Sequence, residues 1–136
     1  MSGAAPLVRT LEIDVPAAGA AVAQDTIIGE APFAGEVTAV SVISEGAVIA
    51  HATNFRTLRV LNKGQAGAGS TVVASLALDT PTTDDLAAKD EKSIPLSGVA
   101  DATDVVEGDV LILDETVAAS GLAHTGLLVK VDISRA

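Results

Sequence analysis

Gly35 opens the run Glu36-Val-Thr-Ala-Val-Ser-Val-Ile43. Asn54 leads into Phe55-Arg-Thr-Leu-Arg-Val-Leu61. The turn Gly64-Gln-Ala-Gly-Ala-Gly69 then feeds Ser70-Thr-Val-Val-Ala-Ser-Leu-Ala-Leu78. β-Branched runs cut by glycine and asparagine build sandwiches or barrels. The same stretch carries almost no nucleophilic or titratable side chain, so it describes architecture and offers little chemistry.

Strand signals continue outward on both sides. Leu7, Leu11, Ile13 and Val15 share one face of a period-two segment, and Val8, Thr10, Glu12 and Asp14 share the other. Arg9 interrupts the apolar face near its start, and Pro16 ends the segment because it cannot donate to a ladder. Ala17–Ala23 reads as a connection, Thr26–Ala31 as a short strand stopped at Pro32, and Val48–Ile49 as a brief edge piece. In the segment from Arg56 to Lys63, Leu58 and Val60 point one way while Thr57, Arg59, Leu61 and Lys63 point the other. Ser93–Leu96 reads as a small edge strand. Val110-Leu-Ile-Leu113 is apolar on both faces, which marks a covered or central strand. Leu127, Val129, Val131 and Ile133 alternate in the last strand. Thr80–Lys92 is the one candidate helix, with Thr83 as its cap and acids in the first turn; a polar loop is the competing reading.

The chain has 136 residues, enough for one domain. Residues 1–6 read as a flexible N-terminal arm and 7–136 as a single β-sandwich domain. Apolar residues make up 49% of the chain, yet Phe33 and Phe55 are its only aromatics. Valine, leucine, isoleucine and alanine must therefore fill the core, which suits two sheets facing each other at about 10 Å. The expected fold is all-β: an antiparallel, jelly-roll-like sandwich of about eight strands with at most one short helix.

Charge and composition exclude several function classes. A net charge of −10 argues against nucleic acid, whose phosphates are bound by clustered Lys and Arg, and against an anionic membrane surface. No apolar run is long enough to span a bilayer. Met1–Arg9 lacks the basic and apolar regions of a secretion signal. There is no cysteine, so disulfides and thiolate metal sites are out. Charge is also uneven along the chain. Gly46–Leu78 holds no acid, only Arg56, Arg59 and Lys63, whereas Asp79–Glu115 holds eleven acids against Lys89 and Lys92.

His51 and His124 sit in loop sequence without metal-binding spacing, and read as solvated or hydrogen-bonded loop histidines. Asp79, Asp84, Asp85, Asp101 and Asp104 match no calcium loop. No Gly-x-Ser-x-Gly elbow is present. The Gly64–Gly69 loop precedes a strand rather than a helix, so it reads as a hairpin turn and not a phosphate cradle. Sugar platforms rest on exposed aromatic rings, and there is neither Trp nor Tyr. Arg59 and Lys63 flank Leu61 on one strand face. With Arg9 and Arg56 they form the candidate contact set toward another subunit or a larger assembly.

The order of three segments carries a resemblance: Ala31-Pro-Phe-Ala-Gly-Glu-Val-Thr-Ala-Val40, Thr53-Asn-Phe-Arg-Thr-Leu-Arg-Val-Leu-Asn-Lys-Gly64 and Thr71-Val-Val-Ala-Ser-Leu76. Asp90-Glu-Lys-Ser-Ile-Pro-Leu-Ser-Gly98, Glu107-Gly-Asp-Val-Leu111 and Gly126-Leu-Leu-Val-Lys-Val131 continue it. In this order the chain resembles the head decoration proteins (minor capsid or head-fibre proteins) of tailed bacteriophages that infect actinobacteria. The resemblance implies a small β-sandwich, trimeric, bound to the major capsid protein on the outer surface of the virion after synthesis in the host cytoplasm. It implies no enzyme activity and no cofactor, and brings no catalytic motif.

Two expectations follow. Arg9, Arg56, Arg59, Leu61 and Lys63 should lie toward capsid or subunit contacts. Leu61, Leu111, Leu113 and Leu128 should be outward aliphatics buried between subunits. The alternative function is a carbohydrate-binding or host-adhesion module displayed on the same particle.

Overall fold

The computed structural model describes residues 7–135; the expected arm at residues 1–6 lies outside them. Nine strands follow one another: β1 (Val8–Val15), β2 (Gln24–Glu30), β3 (Gly35–Ser44), β4 (Arg56–Asn62), β5 (Thr71–Ala77), β6 (Glu91–Ser93), β7 (Asp104–Val105), β8 (Val110–Val117) and β9 (Leu127–Arg135). They form two antiparallel sheets, one ordered β1-β9-β3-β6 with β7 also paired to β3, the other ordered β2-β8-β4-β5. No described residue is helical. The all-β sandwich expected from the strand pattern is the fold observed, with the two-residue β7 as the unforeseen ninth strand.

Period-two patterning sets which side faces in. On β1, Leu11, Ile13 and Val15 face the core, in register with Val131, Val129 and Leu127 of β9. On β4, Leu58 and Val60 face in, opposite Leu76 and Ala74 of β5. The core is aliphatic throughout apart from Phe33, as the composition demands. Opposite Ile27 the ladder slips by one residue, a bulge that turns Ile28 inward and leaves Ile27 out.

The two lateral sides of the sandwich differ. On one side the chain after β6 bridges the sheets: Ile94 N–H donates to the Val40 carbonyl, and Ser97 N–H donates to that of Val73. That segment covers the β5 edge, which a sheet would otherwise leave open. On the other side β1 and β2 meet. At one end of the body the β1–β2 connection pairs with the β8–β9 connection through Ala18 and His124. The β3–β4 and β5–β6 connections meet there too, through Val48 and Leu86.

Two expectations need correction. Thr80–Lys92 is not a helix: turns and isolated bridges run as far as Asp90, and Glu91 and Lys92 already belong to β6. Its aspartates bind backbone N–H groups in place of helical carbonyls: Asp84 accepts from Thr80 N–H at 3.1 Å, and Asp85 accepts from both Thr82 and Ala50. Asp competes with the helix in this way generally, and Thr82 and Lys89 take positive φ, which no helix tolerates. Second, Leu111 and Leu113 are fully buried core residues, not outward aliphatics. β8 lies between β2 and β4, and the residue turned outward between those two leucines is Ile112.

Candidate functional site

β4 carries the residues singled out from sequence, and its two faces separate them. Arg56 belongs to the inner face, with Leu58 and Val60. It is 1% exposed. Its Nη1 donates to Glu115 Oε1 at 3.1 Å, its Nε to the Leu122 carbonyl at 2.7 Å, and its Nη2 to the carbonyls of Gly19 and Val22 at 2.8 and 2.9 Å. Arg56 therefore offers no charge to a partner; the guanidinium is spent inside.

The anchor for Arg56 is a buried polar knot. Glu115 Oε2 accepts from Gln24 Nε2 at 2.8 Å, and Glu115 Oε1 lies 2.7 Å from His124 Nε2. Glu115 faces a guanidinium, so its carboxylate is the acceptor and His124 donates through Nε2. His124 Nδ1 is buried and finds no hydrogen-bond partner among the described residues. The knot ties the β1–β2 and β8–β9 connections to the sheet, and no side chain in it reaches solvent well enough to meet a substrate. Sequence reading missed it. The available signal was Glu115 at inward parity with Leu111 and Leu113, and Arg56 at inward parity with Leu58.

Arg59, Leu61 and Lys63 share the outer side, as the alternation indicated. Arg59 is ion-paired with Asp114 of β8, its Nε at 3.0 Å. Beside Asp114 lies Asp25 of β2. Asp25 titrates above its ordinary range, chiefly because it shares a side-chain hydrogen bond with Asp114, and next because of partial burial. The Arg59 guanidinium pairs with Asp114, and the cation that partly offsets the rise at Asp25 is Lys63. Among the described residues Lys63 makes no ion pair. Leu61 lies in a cross-sheet row with Ile27, Ile112 and Val72. Ile27 is 68% exposed, while Leu61 and Ile112, in the middle, are nearly covered at 7% and 8%. Arg9 is exposed on β1, in the other sheet, away from this face.

The remaining candidates scatter. His51 caps its own loop, its Nδ1 accepting from Thr53 and Asn54 N–H. Among the described residues no three His, Asp or Glu side chains converge as a metal site requires. The outer face of the five-stranded sheet holds a polar hollow of about 620 Å³, lined by residues including Thr10, Glu12, Ser41, Glu91, Ser93 and Lys130. Within it Lys130 Nζ meets Glu91 at 3.0 Å, and Ser41 donates to Glu91 at 2.7 Å.

No protein-family model and no curated protein matches the chain. Among solved structures it superposes on a chain of the cyanophage Pam1 capsid asymmetric unit with a TM-score of 0.53 at 14% identity, covering 100% of this chain and 90% of that one. Structures of infectious bursal disease virus, strains Gx and Gt, align with TM-scores of 0.33 and 0.27 at 13% and 15% identity; 96% of this chain spans 33% and 38% of theirs. Those two alignments carry no argument. At 14% identity the cyanophage likeness is one of fold: the two-sheet body, end to end.

Proposed function

We propose that this protein is a non-enzymatic structural component of a virion, bound to the outer surface of a phage capsid through the major capsid protein and stabilising the shell. The observation that carries the reading is the strand order. Sheets ordered β1-β9-β3-β6 and β2-β8-β4-β5 support a jelly-roll reading, in which most connections cross between layers. That architecture serves capsid and lectin domains alike, and the full-length likeness to a cyanophage capsid chain favours the first.

The physics suits a part that works by surface. The buried Arg56–Glu115 pair is spent on holding loops, and the core is aliphatic apart from Phe33. The order of motifs that resembles actinophage head decoration proteins supports placement on the outside of the shell, and it implies a trimer. Arg9 and Lys63 are the cations left for an outer partner, with Arg59 and Leu61 beside Lys63; Arg56 leaves the contact set.

Co-sedimentation with capsids lacking the protein tests the assignment. The wild type should pellet with shells and raise their melting temperature. Lys63→Glu with Arg59→Glu should reduce occupancy. Failure of the wild type to bind any shell surface would overturn the reading.

A second reading, a carbohydrate-binding or adhesion module, is favoured by the hydroxyl- and carboxylate-lined hollow on the five-stranded sheet. A glycan array with purified protein separates the two: saturable binding that is lost in Ser41→Ala and Glu91→Gln would move the function there.

A further inference from the structure

We infer that His124 is an acid-sensitive clasp: a proton taken up at its buried Nδ1 loosens the β1–β2 and β8–β9 connections from the four-stranded sheet, while the sandwich behind them stays folded. This device belongs to the fold itself and holds whether or not the chain binds a shell.

One atom stands out. Among the described residues, His124 Nδ1 is the buried side-chain nitrogen left without a hydrogen-bond partner. Native proteins rarely leave such an atom unpaired. The ring is nevertheless fixed. Its Nε2 donates to Glu115 Oε1 at 2.7 Å, and the His124 backbone pairs with Ala18 in both directions, at 3.0 and 3.1 Å. The side chain is 2% exposed. With the hydrogen on Nε2, Nδ1 carries a bare lone pair, which is where an imidazole takes its second proton.

Charge decides what that proton does. Glu115, from β8, is the carboxylate beside the ring, and Arg56, from β4, already holds it at 3.1 Å. Gln24, from β2, is neutral and donates to the other oxygen of Glu115. Among the described residues no further charged side chain pairs with any of the three. Glu45, after β3, stands near Gly126 at the far end of the same connection and is exposed. Neutral His124 therefore leaves one buried cation facing one buried carboxylate. Protonated His124 sets two cations against that carboxylate and adds an N–H that no acceptor meets. Both changes penalise the closed arrangement. Water relieves both once the connection swings out, so acid favours opening.

The same bonds define what opens. Ala18 and His124 form the bridge between the two connections. Arg56 holds the carbonyls of Gly19 and Val22 in one and that of Leu122 in the other. A fault between His124 and Glu115 lies at the centre of this set. The aliphatic core behind it has nothing to titrate. Asp109, the remaining buried acid, precedes β8 at the opposite end of the body.

Hydrogen exchange of the full chain from about pH 8 to 5, the span in which imidazoles titrate, is the test. After correction for the intrinsic rate, residues 17–23 and 118–126 should lose protection as pH falls. The slope should reach about tenfold per pH unit, as uptake of one proton on opening requires. β3 and β9 should keep their protection. His124→Gln can still donate to Glu115 but takes no proton, so in this variant protection of the two connections should not change with pH. His51→Gln should respond as the wild type does. Should His124→Gln fail to fold, the imidazole nitrogen shifts of the wild type carry the test: Nδ1 should gain its proton over the same pH span in which protection is lost. An Nδ1 that gains its proton with both connections still protected overturns the inference. So does a loss of protection that runs equally through all strands, or one that persists in His124→Gln.

Discussion

Arg56 and Glu115 meet at 3.1 Å with both side chains shut away from solvent, on neighbouring strands of the four-stranded sheet. Between them they bind three backbone carbonyls, Gln24 and His124. A lone charge in that position has no water to turn to. Removing one partner of such a pair typically costs about 3–5 kcal/mol, so Arg56→Met and Glu115→Leu should each lower stability on that scale in urea unfolding. Arg56→Met should be the worse, because three carbonyls lose their donor with it. In the double variant no buried charge is stranded, and its cost should fall short of the sum by at least about 1 kcal/mol. Simple additivity would mean that the knot does not act as a unit.

Asp25 gives a prediction of opposite sign. Its carboxyl is raised above its ordinary 3.8, first by the hydrogen bond shared with Asp114. An acid raised on folding binds its proton more tightly in the native state. It favours the fold at low pH and opposes it as pH climbs past its native value. Asp25→Asn should therefore raise the melting temperature at pH 7, by an amount equivalent to a few tenths of a kcal/mol at this exposed site. The advantage should vanish below pH 3.8, where wild-type Asp25 is itself protonated. A constant offset across pH would assign the effect to something other than charge.

How much of this was legible in the sequence depends on what each residue's neighbour decides. Alternation alone placed Leu58 and Val60 inside and Arg59, Leu61 and Lys63 outside, because side-chain direction in a strand is a local property. It misjudged Leu111 and Leu113, since a strand apolar on both faces has no parity signal, and only the sheet order shows which face meets the core. The same parity put Arg56 inward, but an arginine there reads as a surface residue until Glu115, far along the chain, is known to stand beside it. The segment after Thr80 offered Thr83 as a cap and acids for a first helical turn, against a polar loop, and was decided by aspartate side chains that accept from backbone N–H groups. The aliphatic row from Ile27 to Val72 was invisible for another reason: its members come from four strands, and cross-strand register, not any one segment, makes them a row.

The loops offer a contrast between two glycines. Gly67, in the β4–β5 turn, has φ of 79° and nothing within 4 Å of where a Cβ would stand. Gly67→Ala should cost only the left-handed backbone penalty, about 1 kcal/mol. Gly121, in the β8–β9 connection, has φ of 61°, and a Cβ there would press into the Ala20 carbonyl and stand 2.9 Å from Val117 Cβ. The Ala20 carbonyl lies in the β1–β2 connection, which Arg56 pins down and which cannot retreat freely. Gly121→Ala should therefore cost at least about 3 kcal/mol by urea unfolding, with hydrogen exchange quickening at residues 17–23. Equal effects at the two glycines would show that the two connections are not packed as tightly as the distances state.

The Glu91–Lys130 pair on the other sheet makes a prediction bounded in pH on both sides. Glu91 is held below its ordinary 4.5, first by the Ser41 hydroxyl and then by Lys130, while Lys130 is held above its ordinary 10.5 by Glu91. A lowered acid contributes stability above its unfolded value and loses it as pH falls through the folded one. A raised amine contributes below its unfolded value and loses it as pH rises through the folded one. The coupling between the two, measured by the double-mutant cycle of Glu91→Gln and Lys130→Gln, should therefore be present between about pH 4.5 and 10.5 and fade outside that window. Both side chains meet water, so added salt should shrink the coupling. Ser41→Ala should raise the acid limit of the window, because it removes the first of the two groups that hold Glu91 ionised. A coupling that survives unchanged in strong salt and at pH 3 would mean that Glu91 and Lys130 interact by packing rather than by charge.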